Sequence, residues 1–240
     1  MLDFKNELLR VANLNEATKN LITEDSAPVF EALCSHMLEK NKVLNLTAIR
    51  DEEGVILKHF VDSVAVLPFI NGTSLADIGC GGGFPSLPIA ILRPDISVLS
   101  VDSVSKKVAY VEDTAKYLSL SNVKTSSRRA EELGKSELRQ TFDTVTARAV
   151  GRLNLLCELC IPLTRVGGVF LAMKSQTTSE ELDEAKSDIS LLGGEVEKIV
   201  SYTITNGSEE LSRTIVVIRK IKKTPDKYPR NNSQISKKPL

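Results

Sequence analysis

The chain has 240 residues, 31 Lys/Arg balanced by 31 Asp/Glu, ordinary hydrophobic content and no tryptophan. That suits one large domain, or one domain with extensions, around a sizeable core. No apolar run is long enough to span a bilayer, and the first residues lack the basic-then-apolar order of a signal peptide, so a cytoplasmic protein is expected.

Residues 1–72 read as an N-terminal helical region. Phe4, Leu8, Leu9 and Val11 form one helical stripe. Ala27 to Leu38 carries another, with Val29, Phe30, Leu33 and Met37 on one face, and Val55 to Ile70 is a third, strongly apolar helix. Within it His59, Asp62 and Ser63 lie at i, i+3 and i+4 and share a face. A hydrogen-bonded polar edge is preferred there over a pocket lining. Asn41, Asn45 and Thr47 are placed to tie a loop by side-chain to backbone bonds.

From residue 74 onward strands alternate with helices. Strands are expected at 74–78, 97–102, 122–126, 142–147 and 167–173, and helices near 86–92, 105–118, 152–164 and 178–192. Such alternation implies a parallel sheet covered on both faces. Val196 to Thr205 and Leu211 to Lys220 are strand-like and flank Asn206-Gly207, so the sheet should end in an antiparallel pair. The expected fold is an α/β, Rossmann-like sheet over 73–222, mostly parallel, preceded by helices and followed by a basic tail, 223–240. From Thr224 the chain has three prolines and no periodicity, and it should be extended and mobile unless it docks on a partner.

The first strand runs into Leu75-Ala-Asp-Ile-Gly-Cys-Gly-Gly-Gly-Phe-Pro85. A strand, a glycine turn and a helix start bring backbone N–H groups against a nucleotide-like ligand. Gly79, Gly81 and Gly83 remove Cβ atoms that would block the ligand or forbid positive φ. Phe84 stands where the dinucleotide fingerprint needs a small residue. Gly134-Lys135-Ser136 has a P-loop ending, but the first glycine of that motif would fall at Arg129. A bulky apolar residue after the glycines suits an adenosyl ligand with little phosphate. Asp102 closes the second strand, where a carboxylate can accept both ribose hydroxyls; the plain alternative is a cap for the helix that follows.

Three more loops converge at the strand ends. Glu131 can bond an adenine amino group and the Ala130 backbone a ring nitrogen, or Glu131 is simply a first-turn helix acid. Arg148 can hold a carboxylate or an RNA phosphate bidentately, or pair with Asp143 or Glu158. Lys174-Ser-Gln follows the fifth strand. The two histidines, His36 and His59, sit beside no nucleophile elbow, and no metal-ligand spacing occurs. The Cys157/Cys160 pair lies on the apolar side of a helix, and all four cysteines read as buried small hydrophobes. No residue is nominated as catalytic; chemistry has to come from a bound cofactor and from positioning. From Arg219 to Leu240 there are eight Lys/Arg against one acid, Asp226. A basic tail on an acidic body points either to a polyanion such as RNA or to a solvated terminus.

Asn45-Leu-Thr47, His59-x-x-Asp62-Ser63, Asp77 through Pro85, Asp102-Ser103 with Lys106-Lys107, Arg129-Ala-Glu131, Phe142-Asp143-x-Val-x-Ala-Arg148-Ala and Tyr228-Pro-Arg230 together resemble the bacterial small-subunit rRNA methyltransferase G family, also called GidB. The resemblance runs from about Asn41 to the C-terminus. Ser86, Lys107 and Ser175 depart from residues usual in the family (glycine, arginine and glycine, respectively). The resemblance implies a class I S-adenosylmethionine-dependent fold and methylation of a guanine N7 in the 530 loop of 16S rRNA. It also implies cofactor contacts at Gly79, Phe84, Ala130, Glu131 and Arg148, with Asp102 as the ribose acid. The expected partner is 16S rRNA or the small ribosomal subunit, without a membrane, for a monomer. The rivals are a methyltransferase of another nucleobase or of a small molecule, a non-catalytic ribosome assembly factor and, weakest, an oxidoreductase.

Overall fold

The computed structural model describes residues 3–148, 151–175 and 179–240. Ala149, Val150 and Gln176, in two of the strand-end loops, and the expected first residue of the 178–192 helix lie outside these.

Helix α1 (Phe4–Leu14) is capped by the Asp3 side chain, which accepts from the Asn6 N–H, and it buries Phe4, Leu8 and Val11. Helix α2 (Ala27–Leu44) runs one and a half turns beyond the expected Leu38, to Asn45 in the left-handed conformation. The expected third helix is not uniform. It divides into α3 (Glu52–Val55), a π-helical turn (Ile56–Val61), α4 (Asp62–Val64) and a 3-10 turn (Leu67–Phe69). Apolar spacing cannot distinguish these, because a π turn adds one residue without interrupting burial; Val55, Ile56, Leu57, Phe60, Val61 and Val64 are all buried.

The strands are β1 (Ser74–Ile78), β2 (Ser97–Val101), β3 (Val123–Ser126), β4 (Phe142–Arg148), β5 (Thr164–Lys174), β6 (Gly194–Thr205) and β7 (Glu210–Lys220). They form one seven-stranded sheet in the order β3-β2-β1-β4-β5-β7-β6. The first five are parallel, and β7 runs antiparallel to both β5 and β6. The expected mostly parallel sheet with an antiparallel end is therefore the fold found. The order reverses at β1, whose neighbours are β2 on one side and β4 on the other, and ligands of such sheets bind outside the carboxyl ends of strands at that switch.

Helices α5 (Ser86–Leu92) and α6 (Ser105–Tyr117) share an apolar core with α1, α2 and the π turn, through Leu87, Tyr110, Val111, Phe30 and Phe60. The other core joins Ala76, Val145, Phe170 and Val216 of the sheet to α7 (Ala130–Leu133), α8 (Leu153–Cys160) and α9 (Ser179–Leu191). Cys34, Cys80, Cys157 and Cys160 are free and buried, and burial pushes their thiols up. Among the described residues no helix is long and apolar enough to cross a membrane.

The C-terminal segment differs from the extended, mobile tail expected. Tyr228 and Ile235 are buried, and residues Asn232–Lys237 form a short helix, α10, whose capping box joins Asn231 and Gln234. Arg230 of the tail pairs with Glu158 and Arg219 of β7 with Glu197, while Lys223, Lys227, Lys237 and Lys238 of the tail are exposed. Lys220 is buried and donates to the Ile161 and Leu192 carbonyls at the ends of α8 and α9 and to the Thr224 hydroxyl. Replacing Lys220→Met should take one donor from each of those carbonyls, which keep the Thr164 N–H and the Thr224 hydroxyl, and cost about 1 kcal/mol in urea unfolding.

Candidate active site

A cavity of about 560 Å³ opens at the carboxyl edge of β1 and β4. Gly79, Gly81, Phe84 and Arg148, four of the expected site residues, line it together. Its other walls come from the N-terminal helical region and the β6–β7 hairpin: Thr47, Lys58, His59 and Asp62, then Tyr202 and Arg213.

The glycine turn is shaped from beneath. Gly79, Gly81 and Gly83 have φ of 74°, 56° and 86°, all in the left-handed region. A Cβ on Gly81 would meet nothing nearer than the Gly79 carbonyl oxygen at 4.0 Å, so its open side faces free space. Gly83 is needed for a different reason: its Cβ would lie 2.4 Å from Leu87 Cδ1, inside the packing beneath the turn. Asp77, fully buried below, accepts from the Thr146 hydroxyl at 3.0 Å and the Ser86 N–H at 3.2 Å. Burial raises its pKa from 3.8 to about 6 despite those bonds. Asp102 accepts from the Gly81 N–H at 3.0 Å and the Val104 N–H at 2.9 Å. It is therefore tied both to the turn and to the approach to α6, one bond from the cavity wall. An ionised carboxylate has about four lone-pair positions, so acceptor capacity remains.

The polar triplet of the third helical segment does not form a plain hydrogen-bonded edge. The π turn and α4 place His59 and Asp62 in the cavity wall, while Ser63 is buried behind it. Arg148 does not pair with Asp143 or Glu158, which are taken by Arg165 and Arg230. It donates instead to the Lys58 carbonyl at 3.0 Å and to Asp62 at 3.1 Å, and it lies 3.3 Å from His59 Nδ1. Arg213 donates to the other Asp62 oxygen at 2.8 Å. A guanidinium only donates, so His59 Nδ1 accepts and Nε2 carries the proton toward the Thr47 hydroxyl 3.0 Å away. Burial first, and then the Arg148 charge, lower the His59 pKa to about 3. Its ring stacks on Phe84 with centroids 4.4 Å apart and planes within 5°. Asn41 ties the loop as expected, bonding the backbone of Leu46, Thr47 and Ile49.

Ala130 and Glu131 sit in α7, at the end of β3 and off this cavity. Glu131 lines a second, smaller cavity together with Asn231 and Ser233 of the tail. Lys58, Tyr202 and Arg213 were not marked by the sequence. Tyr202 and Arg213 are directly opposed across β6 and β7, a cross-strand pair that only the register reveals. Among the described residues no cluster of three or more His, Cys, Asp or Glu could hold a metal ion.

A family model described as rRNA small subunit methyltransferase G matches residues 27–212. The chain belongs to that family. It is 45% identical over 218 residues to ribosomal RNA small subunit methyltransferase G of Lactobacillus delbrueckii subsp. bulgaricus, covering 88% of this chain and 90% of the relative. It is 42% identical over 210 residues to the Clostridium tetani protein of the same name, covering 86% and 87%. The protein is thus an S-adenosylmethionine-dependent rRNA methyltransferase. Solved structures share its fold at low identity. Precorrin-6y C5,15-methyltransferase from Geobacter metallireducens superposes with a TM-score of 0.50 at 20% identity, over 66% of this chain and 85% of that one. M. jannaschii TYW2 in complex with AdoMet gives 0.52 at 14%, over 63% and 71%.

Two linked expectations concern pH. His59 stays uncharged in the folded protein while the unfolded chain takes up a proton below pH 6.5, so its contribution to stability is lost as pH falls from 6.5 toward about 3. Asp77 acts oppositely: between its ordinary 3.8 and about 6 the folded protein holds a proton that the unfolded chain has released, so this contribution falls as pH rises through that window. Nitrogen-15 spectra should therefore show a His59 imidazole that is neutral, with its proton on Nε2, down to pH 5. A titration midpoint near 6.5 would contradict the buried, Arg148-facing placement.

Proposed function

We propose that the protein transfers a methyl group from S-adenosylmethionine to N7 of a guanine in the 530 loop of 16S rRNA, acting as a monomer. The observation that carries this is the convergence of Gly79, Gly81, Phe84 and Arg148 on one cavity at the switch point of the sheet.

The residues present fit the cofactor. The open side of Gly81 admits close approach of a ligand to the backbone, and Asp102 keeps acceptor capacity for ribose hydroxyls. Gly79 and Phe84 would lie along the methionine and adenosyl parts, with Gly83 holding the turn from below. Ala130 and Glu131, at the end of β3, would take the adenine. Bound S-adenosylmethionine supplies an electrophilic methyl group on a sulfonium.

Guanine N7 offers an in-plane lone pair and has no proton to lose. No group of the chain therefore has to act as a base, and none in the wall is placed to do so. His59 is neutral, its Nδ1 faces Arg148, and its Nε2 proton is directed to Thr47. Asp62 accepts from an arginine on each oxygen, which fixes it as the anchor of two guanidinium groups. What the chain provides is alignment, which is worth at most about 7–11 kcal/mol of a barrier. Lys58, Arg148, Lys174 and Arg213 line the cavity, paired with Glu209, Asp62, Glu181 and Asp62, respectively, and the exposed lysines of the tail add further positive charge for an RNA strand. The family's printed name favours RNA over a small-molecule acceptor and transfer over a purely assembly role.

Purified protein should be incubated with labelled S-adenosylmethionine and small-subunit RNA or particles from cells lacking it. Label is expected in 7-methylguanosine after digestion; label in another nucleoside, or in none, would overturn the assignment. Truncating one partner of a buried, hydrogen-bonded charge pair costs roughly 2–5 kcal/mol. That cost falls on the fold, so Arg148→Ala is assayed on the folded fraction, where loss of one preorganised donor should lower kcat/KM about 100-fold. Unchanged transfer would remove Arg148 from the machinery.

A further inference from the structure

The tail's charge count points to an RNA grip, and Lys222, Lys223, Lys227, Lys237 and Lys238 are exposed, but other contacts tie its backbone and Arg230 to the body. Arg139, between α7 and β4, is a four-way staple. Its Nη1 donates to the carbonyls of Gly134 at 2.8 Å and Tyr228 at 2.6 Å. Its Nη2 donates to those of Thr224 at 2.9 Å and Pro225 at 3.2 Å. One guanidinium thus joins the end of α7 to the tail. Tyr228 is buried in the same apolar core as Ala130 and Leu133 of α7. Two residues on, Arg230 closes on Glu158 of α8: backbone N–H and Nε each reach Oε1 at 2.8 Å, and Nη2 reaches Oε2 at 2.6 Å. Glu158 is 0% exposed, so this contact anchors the tail against the body. Asn231 and Ser233 then face Glu131 across a cavity of about 390 Å³ that Arg129 and Lys135 also line.

The element held by these contacts cannot hold itself. Helix α7 is four residues long, far below the length at which a helix is stable alone, so its position is set by what packs on it. Gly134, its C-cap, lies directly under the tail: a Cβ there would be 2.9 Å from Pro229 Cγ and 3.1 Å from Cδ.

We propose that the C-terminal tail, from Thr224 to Ile235, is a structural part of the cofactor site: by clamping α7 it fixes Ala130 and Glu131, and with them the recognition of adenine. This rests on the reading of Ala130 and Glu131 as the adenine side. Arg139 and Arg230 are positioning residues, since they act through α7 and touch no ligand. The tail is then a determinant of cofactor affinity and base selectivity, separately from any phosphate its exposed lysines meet.

The mildest test is Gly134→Ala. The glycine has φ of −65°, which alanine adopts freely, so the added methyl acts mainly by pushing Pro229 away from α7. Arg230→Lys and Arg230→Ala form a second, graded pair, the lysine keeping the charge opposite Glu158. Calorimetric Kd values would be measured for S-adenosylhomocysteine and for its inosine analogue, in which adenine is replaced by hypoxanthine. The wild type should prefer the adenosine form. Gly134→Ala and Arg230→Ala should weaken S-adenosylhomocysteine about tenfold and collapse the preference, with Arg230→Lys between them. Equal weakening of both ligands would mean general loosening and would overturn the proposal, as would unchanged affinity for both. Loss of RNA binding alone would return the tail to the phosphate-grip role. A wild type that binds neither ligand, or binds both equally, would instead remove the adenine reading on which the proposal stands.

Discussion

The Asp62 carboxylate is the point on which the cavity depends. It accepts from Arg148 at the end of β4 and from Arg213 on β7, and it is itself carried on a helical turn of the N-terminal region. Three segments far apart in sequence meet in one buried ionic cluster. Placing charges inside a protein is costly, and a pair rarely repays that by itself; it does so when the remaining donors are also satisfied. Here they are largely met, because Arg148 also reaches the Lys58 carbonyl and Arg213 the Ser212 carbonyl. Without the cluster the N-terminal helices would still have their apolar core, but the wall they present to the sheet would have no fixed register. The π turn belongs to the same device. It carries Lys58 and His59 four and three residues before Asp62, so that a backbone carbonyl, an imidazole and a carboxylate all face one guanidinium.

Much of this was legible in the sequence. The switch from period 3.6 to alternating strands and helices after Ser74 anticipated the sheet, and Asn206-Gly207 anticipated its antiparallel end. The glycine turn located the cavity, because steric demands on a backbone are written directly in residue identity. Side-chain partners were not legible in the same way. Arg148 was assigned Asp143 or Glu158 as plain alternatives, yet both acids serve other arginines, since proximity in a fold is not proximity in sequence. Tyr202 and Arg213 carry no local signature, and their role depends on the hairpin register bringing them beside α4. His59 and Asp62 were visible as an oddity but were read as an edge; the π turn that directs them inward leaves no mark in an apolar pattern.

The tail shows a related limit. A net count of eight cations against one acid describes a segment's charge, not its company. Glu158 lies on an otherwise apolar helix, where an unpaired carboxylate would be strongly disfavoured, and Arg230 is the group that makes it tolerable. Lys220 is held by carbonyls that two helix ends leave exposed. In both cases the cation answers a need inside the protein. The tail's charge open to a polyanion is that of its exposed lysines, Lys222, Lys223, Lys227, Lys237 and Lys238.

The groups that titrate nearest the turn are both shifted toward their uncharged forms, His59 fully so at neutral pH and Asp77 only below about pH 6, and one physical setting explains both. Burial disfavours charge on either side, raising the Asp77 pKa to about 6 and lowering that of His59 to about 3. A site built for proton transfer would place such groups within reach of the reacting atom with spare lone pairs or protons. Here Asp77 bonds Thr146 and Ser86 beneath the turn, and His59 is engaged on both nitrogens. That arrangement suits a nucleophile which already owns a free lone pair and needs only to be brought into line with a methyl group. Rate then depends on how rigidly the walls hold their ligands, and the walls are the glycine turn, the Asp62 cluster and the clamped α7. Each is fixed by contacts that lie behind the surface the ligands would meet, so a substitution well outside the cavity can disturb alignment as surely as one within it.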